Sequence, residues 1–224
     1  MRSQQSGFTL VEIAIVLVII GLLLGGILKG QELINSAKVK NMANDFRTIP
    51  TYIYAYQDKF KALPGDDRTA STHVTGAADP PAGLAGNGVI NGNWNSVTNT
   101  DESFLFWQHI RLANLAAGPT AVADPDYIPK NANGGILGIS SATDAQLEID
   151  NLAAAPTNPM RGTYLVCSKG ILGKFAKQLD IQMDDGNTAS GSMRAHLDTA
   201  ALGTASTPTA SIDEALAYTV CMTF

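Results

Sequence analysis

Twenty-one consecutive residues, Phe8 to Leu28, carry a single charge, the carboxylate of Glu12. As a helix such a run is about 31 Å long, enough to cross the hydrocarbon core of a bilayer. An acid inside an apolar span costs about 2.5–3.5 kcal/mol at mid-bilayer on insertion scales. Glu12 is therefore a functional candidate by position alone. An ordinary secretory signal has its charge first, an apolar region of about 7–15 residues second, and its small-residue cleavage site after that region. Here the small residues, Ser6-Gly7, precede the apolar run.

Gly7-Phe8-Thr9-Leu10-Val11-Glu12 followed by an apolar helix resembles the N-terminal signal of type IV prepilins and type II secretion pseudopilins. The resemblance is confined to this N-terminal segment. It implies a leader at residues 1–7, cut between Gly7 and Phe8 by a prepilin peptidase/methyltransferase that then N-methylates Phe8. It also implies that Glu12 acts in assembly, pairing with the Phe8 amine of a neighbouring subunit. Elementary physics agrees. Glu12 lies four residues, about 6 Å of helix rise, from Phe8. An ammonium and a carboxylate in a low-dielectric medium each need a partner. In staggered neighbours each would supply the other and set the axial register. The plainer alternative is a signal anchor with a Glu tolerated near the interface.

The remaining length suits one globular domain beyond the apolar segment. Charged residues make up 16% of the chain and the net charge is -5. Loss of Arg2 with the leader leaves 14 basic against 20 acidic residues, or -6. That balance gives no electrostatic footprint for nucleic acid. Charge counting around the apolar run conflicts with the leader. Arg2 stands alone before it, whereas Lys29, Lys38, Lys40 and Arg47 follow, and the positive-inside rule would favour the reverse orientation. The specific leader takes precedence.

Beyond Gln31, the spacing of Met42, Phe46, Ile49, Ile53, Tyr56 and Phe60 predicts an amphipathic helix continuing to residue 60. Pro50 should kink it near Phe46 to Pro50. Gly21 and Gly25 have a spacing that permits close helix approach in a membrane. Leu63-Pro64-Gly65-Asp66-Asp67 should end the helix in a turn. A loose stretch follows to Thr100. Within it Gly86 to Asn93 faintly resembles a calcium loop, but Asn stands where acids would be needed; a surface loop packed by Trp94 is the better reading. A second helix is expected from Glu102 to Ala117, with Asn99 and Glu102 at capping-box spacing and Gly118-Pro119 as the stop.

Further on, Ile136 to Ile139 and Gln146 to Ile149 are candidate short strands. Tyr164 to Cys167, Ser192 to Leu197 and Ala217 to Met222 read as strands. Ile171, Leu172, Phe175 and Leu179 mark a helical segment, and Asp184-Asp185-Gly186-Asn187 a tight turn. Asp180, Asp184 and Asp185 are the weak candidates for a cation site, against a solvated turn with Asx hydrogen bonds. His73, His109 and His196 read as structural. No metal-spaced His/Cys cluster, Gly-x-Ser-x-Gly or P-loop is present, so the reading calls for no catalytic residue and no cofactor. Cys167 and Cys221, in an exported protein, read as one disulfide tying the last strand to the sheet, with two buried free thiols as the alternative.

The expectation is an α+β, pilin-like subunit: leader 1–7, transmembrane half of the N-terminal helix 8–28, amphipathic half 29–60 and globular head 61–224. The resemblance implies that the helix packs on an antiparallel β-sheet, with a C-terminal disulfide. It further implies partners: other copies or related pilins in a filament, the prepilin peptidase, the inner-membrane assembly machinery, and the membrane before assembly. The head would lie outside the cytoplasm, later on a cell-surface filament or periplasmic pseudopilus. Three functions follow: a pilus subunit, a type II secretion pseudopilin, or a membrane-tethered ligand-binding or hydrolytic domain using a borrowed signal. A tethered enzyme would more often have a flexible linker than a continuous helix.

Overall fold

The computed structural model describes residues 9–143, 145–153, 155 and 157–224. The chain divides into two compact units, Met1–Lys38 and Val39–Phe224. The first helix, α1 (Leu10–Phe60), contributes to both.

Residues 10–29 of α1 are exposed throughout. They belong to α1, the one helix among the described residues that is long and apolar enough to cross a membrane. Burial begins at Val39. Met42, Ala43, Phe46, Ile49, Ile53 and Tyr56 follow at helical spacing and are buried, each large apolar member contributing about 1.5–3 kcal/mol. Phe60, the last residue of the expected stripe, is only half-buried and stacks on His73 with ring centroids 5.3 Å apart. Pro50 does not end α1. It lacks the amide that would bond four residues back, while the hydroxyls of Thr48 and Thr51 bond the carbonyls of Asn44 and Thr48. The helix stops where Lys61 turns to φ 57°, just ahead of Leu63-Pro64.

In the second unit, α2 (Ala70–His73) is a single turn. The next helix, α3 (Glu102–Leu112), is shorter than its apolar pattern implied. Asn114 takes φ 59°, and the amides of Asn114 and Leu115 bond back to the carbonyls of Arg111 and Ile110. This pair of bonds is a Schellman stop, so the run to Ala117 leaves the helix early. The N-cap position is Asp101, not Asn99.

Four strands follow: β1 (Leu137–Ser141), β2 (Tyr164–Leu172), β3 (Met193–Leu197) and β4 (Ala217–Thr223). They form one sheet in the order β1-β2-β4-β3, antiparallel at every pairing. Helix α4 (Gly173–Met183) connects β2 to β3. Ile171 and Leu172 belong to β2, not to the helix. The strand crosses a register shift between Ser168 and Ile171, where Gly170 adopts φ 73°. It then resumes pairing at Ile171 with Tyr218 and Leu172 with Ala217. Such a bulge re-aims the strand and extends it past the point where a helix was expected.

Gln146 to Ile149 form no strand. Gln146 instead donates to the carbonyls of Ile90 and Gly92, and Glu148 accepts from Trp94. Ile149 makes only an isolated bridge to Thr204. These long-range side-chain bonds bury the whole segment without a ladder.

The main core joins the α1 stripe from Val39 to Ile53 with Phe104, Phe106 and Ile110 of α3. From the sheet come Val166, Ile171, Ala195 and Val220, and from α4 Phe175 and Leu179. The fold is α+β and pilin-like: a long N-terminal helix whose outer half packs with an antiparallel four-stranded sheet, closed by a C-terminal disulfide.

Candidate functional site

Gly7 and Phe8 lie outside the described residues. The site begins at Thr9. Its backbone amide and its hydroxyl both donate to Glu12 Oε2, at 2.8 and 2.7 Å, and the Glu12 amide returns a bond to Thr9 Oγ1 at 3.3 Å. This is a capping box: Thr9 is the N-cap, Glu12 the third helical residue, and orphan amides at the start of α1 are satisfied reciprocally. Thr9 thus joins Glu12 as a residue of this site, and the Thr-x-x-Glu spacing is the signal in the chain that marks it. An ionised carboxylate offers about four acceptor positions, so the two Thr9 bonds leave capacity for an incoming ammonium. Around this polar end, Leu10, Leu17 and Leu22 are among the apolar side chains of α1 that stay more than 60% exposed. A helix surface of that kind needs lipid or other protein around it.

In the second unit, Cys167 on β2 and Cys221 on β4 are cross-strand partners. They are disulfide-bonded, with Cα atoms 4.1 Å apart. Trp94, Leu147, Ile149, Met160 and Leu165 pack around the bridge. Trp94, buried in the cluster around the disulfide, directly follows the Gly86–Asn93 loop. The loop amides of Gly86, Asn87 and Gly88 point at the carboxylate of Asp66. Donors converge there, whereas a calcium loop would present oxygen ligands.

Asp180, Asp184 and Asp185 are brought close at the end of α4, but they serve different partners. Asp184 accepts the Met193 amide. Asp185 accepts the Asn187 amide and the Ser190 hydroxyl. Asp180 is fully buried, and burial, with the charges of Asp185 and Asp184, pushes its carboxyl up to about 7. Among the described residues, no group of three His, Cys, Asp or Glu side chains could hold a metal ion.

Each histidine has neighbours that sequence alone did not reveal. His109 accepts the Gly65 amide on Nδ1 and donates from Nε2 to the Ala78 carbonyl; burial holds it below the ordinary imidazole range, so it is neutral. His73 meets Asp67 at 2.6 Å. Burial pushes Asp67 up, but bonds from His73, Tyr56 and Thr69 outweigh it and hold the carboxyl low. His196 approaches Glu148 at 3.2 Å. A cleft of about 730 Å³ opens over Asp66, Asp67 and His73. Of all these arrangements, only the N-terminal segment joins an exposed apolar surface to a carboxylate with spare acceptor capacity.

No curated protein and no solved structure matches the chain. Residues 2–28 match the family described as the prokaryotic N-terminal methylation motif. Over residues 2–28 the chain thus carries the prepilin leader signal found in type IV pilins and pseudopilins.

Proposed function

We propose that this chain is a structural subunit of a type IV pilus or pilus-like filament. Prepilin peptidase cuts between Gly7 and Phe8 and Phe8 is N-methylated. The subunit waits in the inner membrane with residues 8–28 embedded and its head, from residue 61 onward, outside the cytoplasm. It polymerises through the N-terminal helix into a cell-surface filament. The observation that carries this reading is the leader match at residues 2–28 running directly into a 51-residue helix. That helix is apolar and exposed at one end and a core element at the other. Glu12 is the assembly residue, its carboxylate keeping the Thr9 bonds and accepting the Phe8 amine of a neighbouring copy with its remaining capacity. The added contact is a charge-assisted bond in a dry environment.

Mass spectrometry of the N-terminal peptide tests the processing step. A mature chain beginning with methylated Phe8 is expected; one that starts at Met1, or is cut after Leu28, would sink the reading. The same leader also serves type II secretion pseudopilins. Electron microscopy of sheared surface filaments, with identification of their main subunit, separates the two assemblies.

A further inference from the structure

Glu102, the first residue of α3, is wholly buried, and Asp66, in the turn after α1, is 3% exposed. Asp66 is surrounded by donors: the amides of Gly86 and Asn87 reach Oδ1 and that of Gly88 reaches Oδ2 at 2.7 Å. Glu102 uses only half of its carboxyl in the same way. Oε2 accepts both the backbone amide and the side-chain amide of Asn91, each at 2.8 Å. Oε1 is buried with no donor, and the carboxyl faces Asp66 within hydrogen-bonding reach. Two acceptors opposed in a dry interior repel unless a proton lies between them.

Neighbouring groups do not bring that proton or a compensating charge. Arg68 spends its guanidinium on the Ala85 carbonyl. His109, from α3, has its Nε2 proton on Ala78 and presents Nδ1 as an acceptor to Gly65. Asp101, beside Glu102, holds the Ser96 hydroxyl. Asp67 is taken by Tyr56 and His73. Tyr164, from β2, is raised by burial and by the neighbouring Tyr54 and Asp66, so it brings no compensating positive charge.

We infer that Glu102 and Asp66 share one proton, carried on Glu102 Oε1 and donated to Asp66, and that this proton latches α3 to the 63–67 turn and the 86–91 loop. Asp66 already receives three amide donors while Glu102 Oε1 receives none, so the unfilled position for the proton is on Glu102. Burial pushes Glu102 above the ordinary carboxylate range; the Asn91 bonds pull against it and the charge of Asp66 adds to it. A carboxyl raised in the folded state contributes stability that is complete below its unfolded value of about 4.3. That contribution is lost as pH rises through the folded value. The latch is therefore a pH-sensitive device: alkaline conditions leave two buried carboxylates opposed and loosen the loop. It does not depend on the filament reading, because every residue in it lies within the second unit.

The test uses the full chain in detergent micelles, with glutamate carboxyls labelled by ¹³C so that aspartates stay silent. One glutamate resonance should titrate well above the others and be missing in Glu102→Gln. If all glutamates of the unmodified protein titrate in the ordinary range, the latch does not exist, whatever the variant does. Thermal unfolding against pH is the second readout. The parent should lose several degrees between about pH 5 and pH 9. Glu102→Gln, whose amide donates to Asp66 at any pH, should lose measurably less, keeping only the share that other raised carboxyls such as Asp180 contribute to both proteins. Parallel profiles for the two proteins would overturn the proposal.

Discussion

Residues 10–28 and residues 39–56 belong to the same helix yet solve opposite problems. The first stretch exposes every side chain. The second hides Val39, Met42, Ala43, Phe46, Ile49, Ile53 and Tyr56. Backbone bonding is the same in both, so the helix itself does not decide which stretch belongs to a folded domain. What decides it is spacing. The apolar residues of the first stretch go all round the helix, as in a membrane span, whereas those of the second form one stripe with Lys40, Asn44 and Arg47 exposed between them. On the proposed function the first stretch serves assembly while the second serves the stability of the head, and a substitution in one should not register in the other.

The largest effect expected from breaking that division is at Glu12. Glu12→Val removes the one acid from the apolar run. Membrane partition should improve, while filament yield should fall by more than about tenfold, since a buried ammonium left without its partner is strongly disfavoured. Membrane fractionation and sheared-filament assays on the same cultures read both. Undiminished filaments would show that the Thr9–Glu12 capping box is a purely local helix start.

A smaller effect separates the two stretches by stability. In a soluble fragment beginning at Gln31, Phe46→Ala should cost about 3–5 kcal/mol in chemical denaturation, the range for emptying a buried aromatic position. The matching change in the intact protein, Leu17→Ala, should leave the unfolding of the head unchanged, because Leu17 is 63% exposed. Equal losses at both positions would erase the distinction.

Comparable in size, and confined to the head, is the bridge. Cys167→Ser or Cys221→Ser reopens a loop of 54 residues, for which chain entropy gives about 4 kcal/mol. Thermal melts of the same fragment with and without reductant should reproduce that loss in the parent protein and show no response in either variant.

Local and periodic features were legible in the sequence. The stripe from Met42 to Tyr56, the stop after Phe60, the cysteine pair and the positions of all four strands follow from residue spacing, turn chemistry and compartment. The features missed depend on distant partners or on a single backbone angle. Gly170 converts the predicted helix start at Ile171 into more strand by inserting a bulge. Asn114, in a left-handed conformation, ends α3 while the apolar pattern still runs on. Gln146 to Ile149 alternate like a strand, but their partners lie some fifty residues away at Ile90, Gly92 and Trp94. Glu102 has capping-box spacing from Asn99, yet its carboxyl turns to Asn91 and Asp66. No window of neighbouring residues contains that preference. The Thr9–Glu12 capping box, by contrast, is closed within four consecutive residues, so its spacing can be read directly from the chain.

The disulfide between β2 and β4 also has a mechanical meaning. A chain pulled by its two ends transmits tension through Cys167 and Cys221, and the 53 residues between them are bypassed by the covalent link. At about 3.4 Å per extended residue, roughly 180 Å of contour is withheld from any stretching of the chain. α4 and β3 lie inside that closed loop, so they are shielded from load. Extension of the head must then come from the chain before residue 167, beginning with whatever holds α1 and α3 in the core.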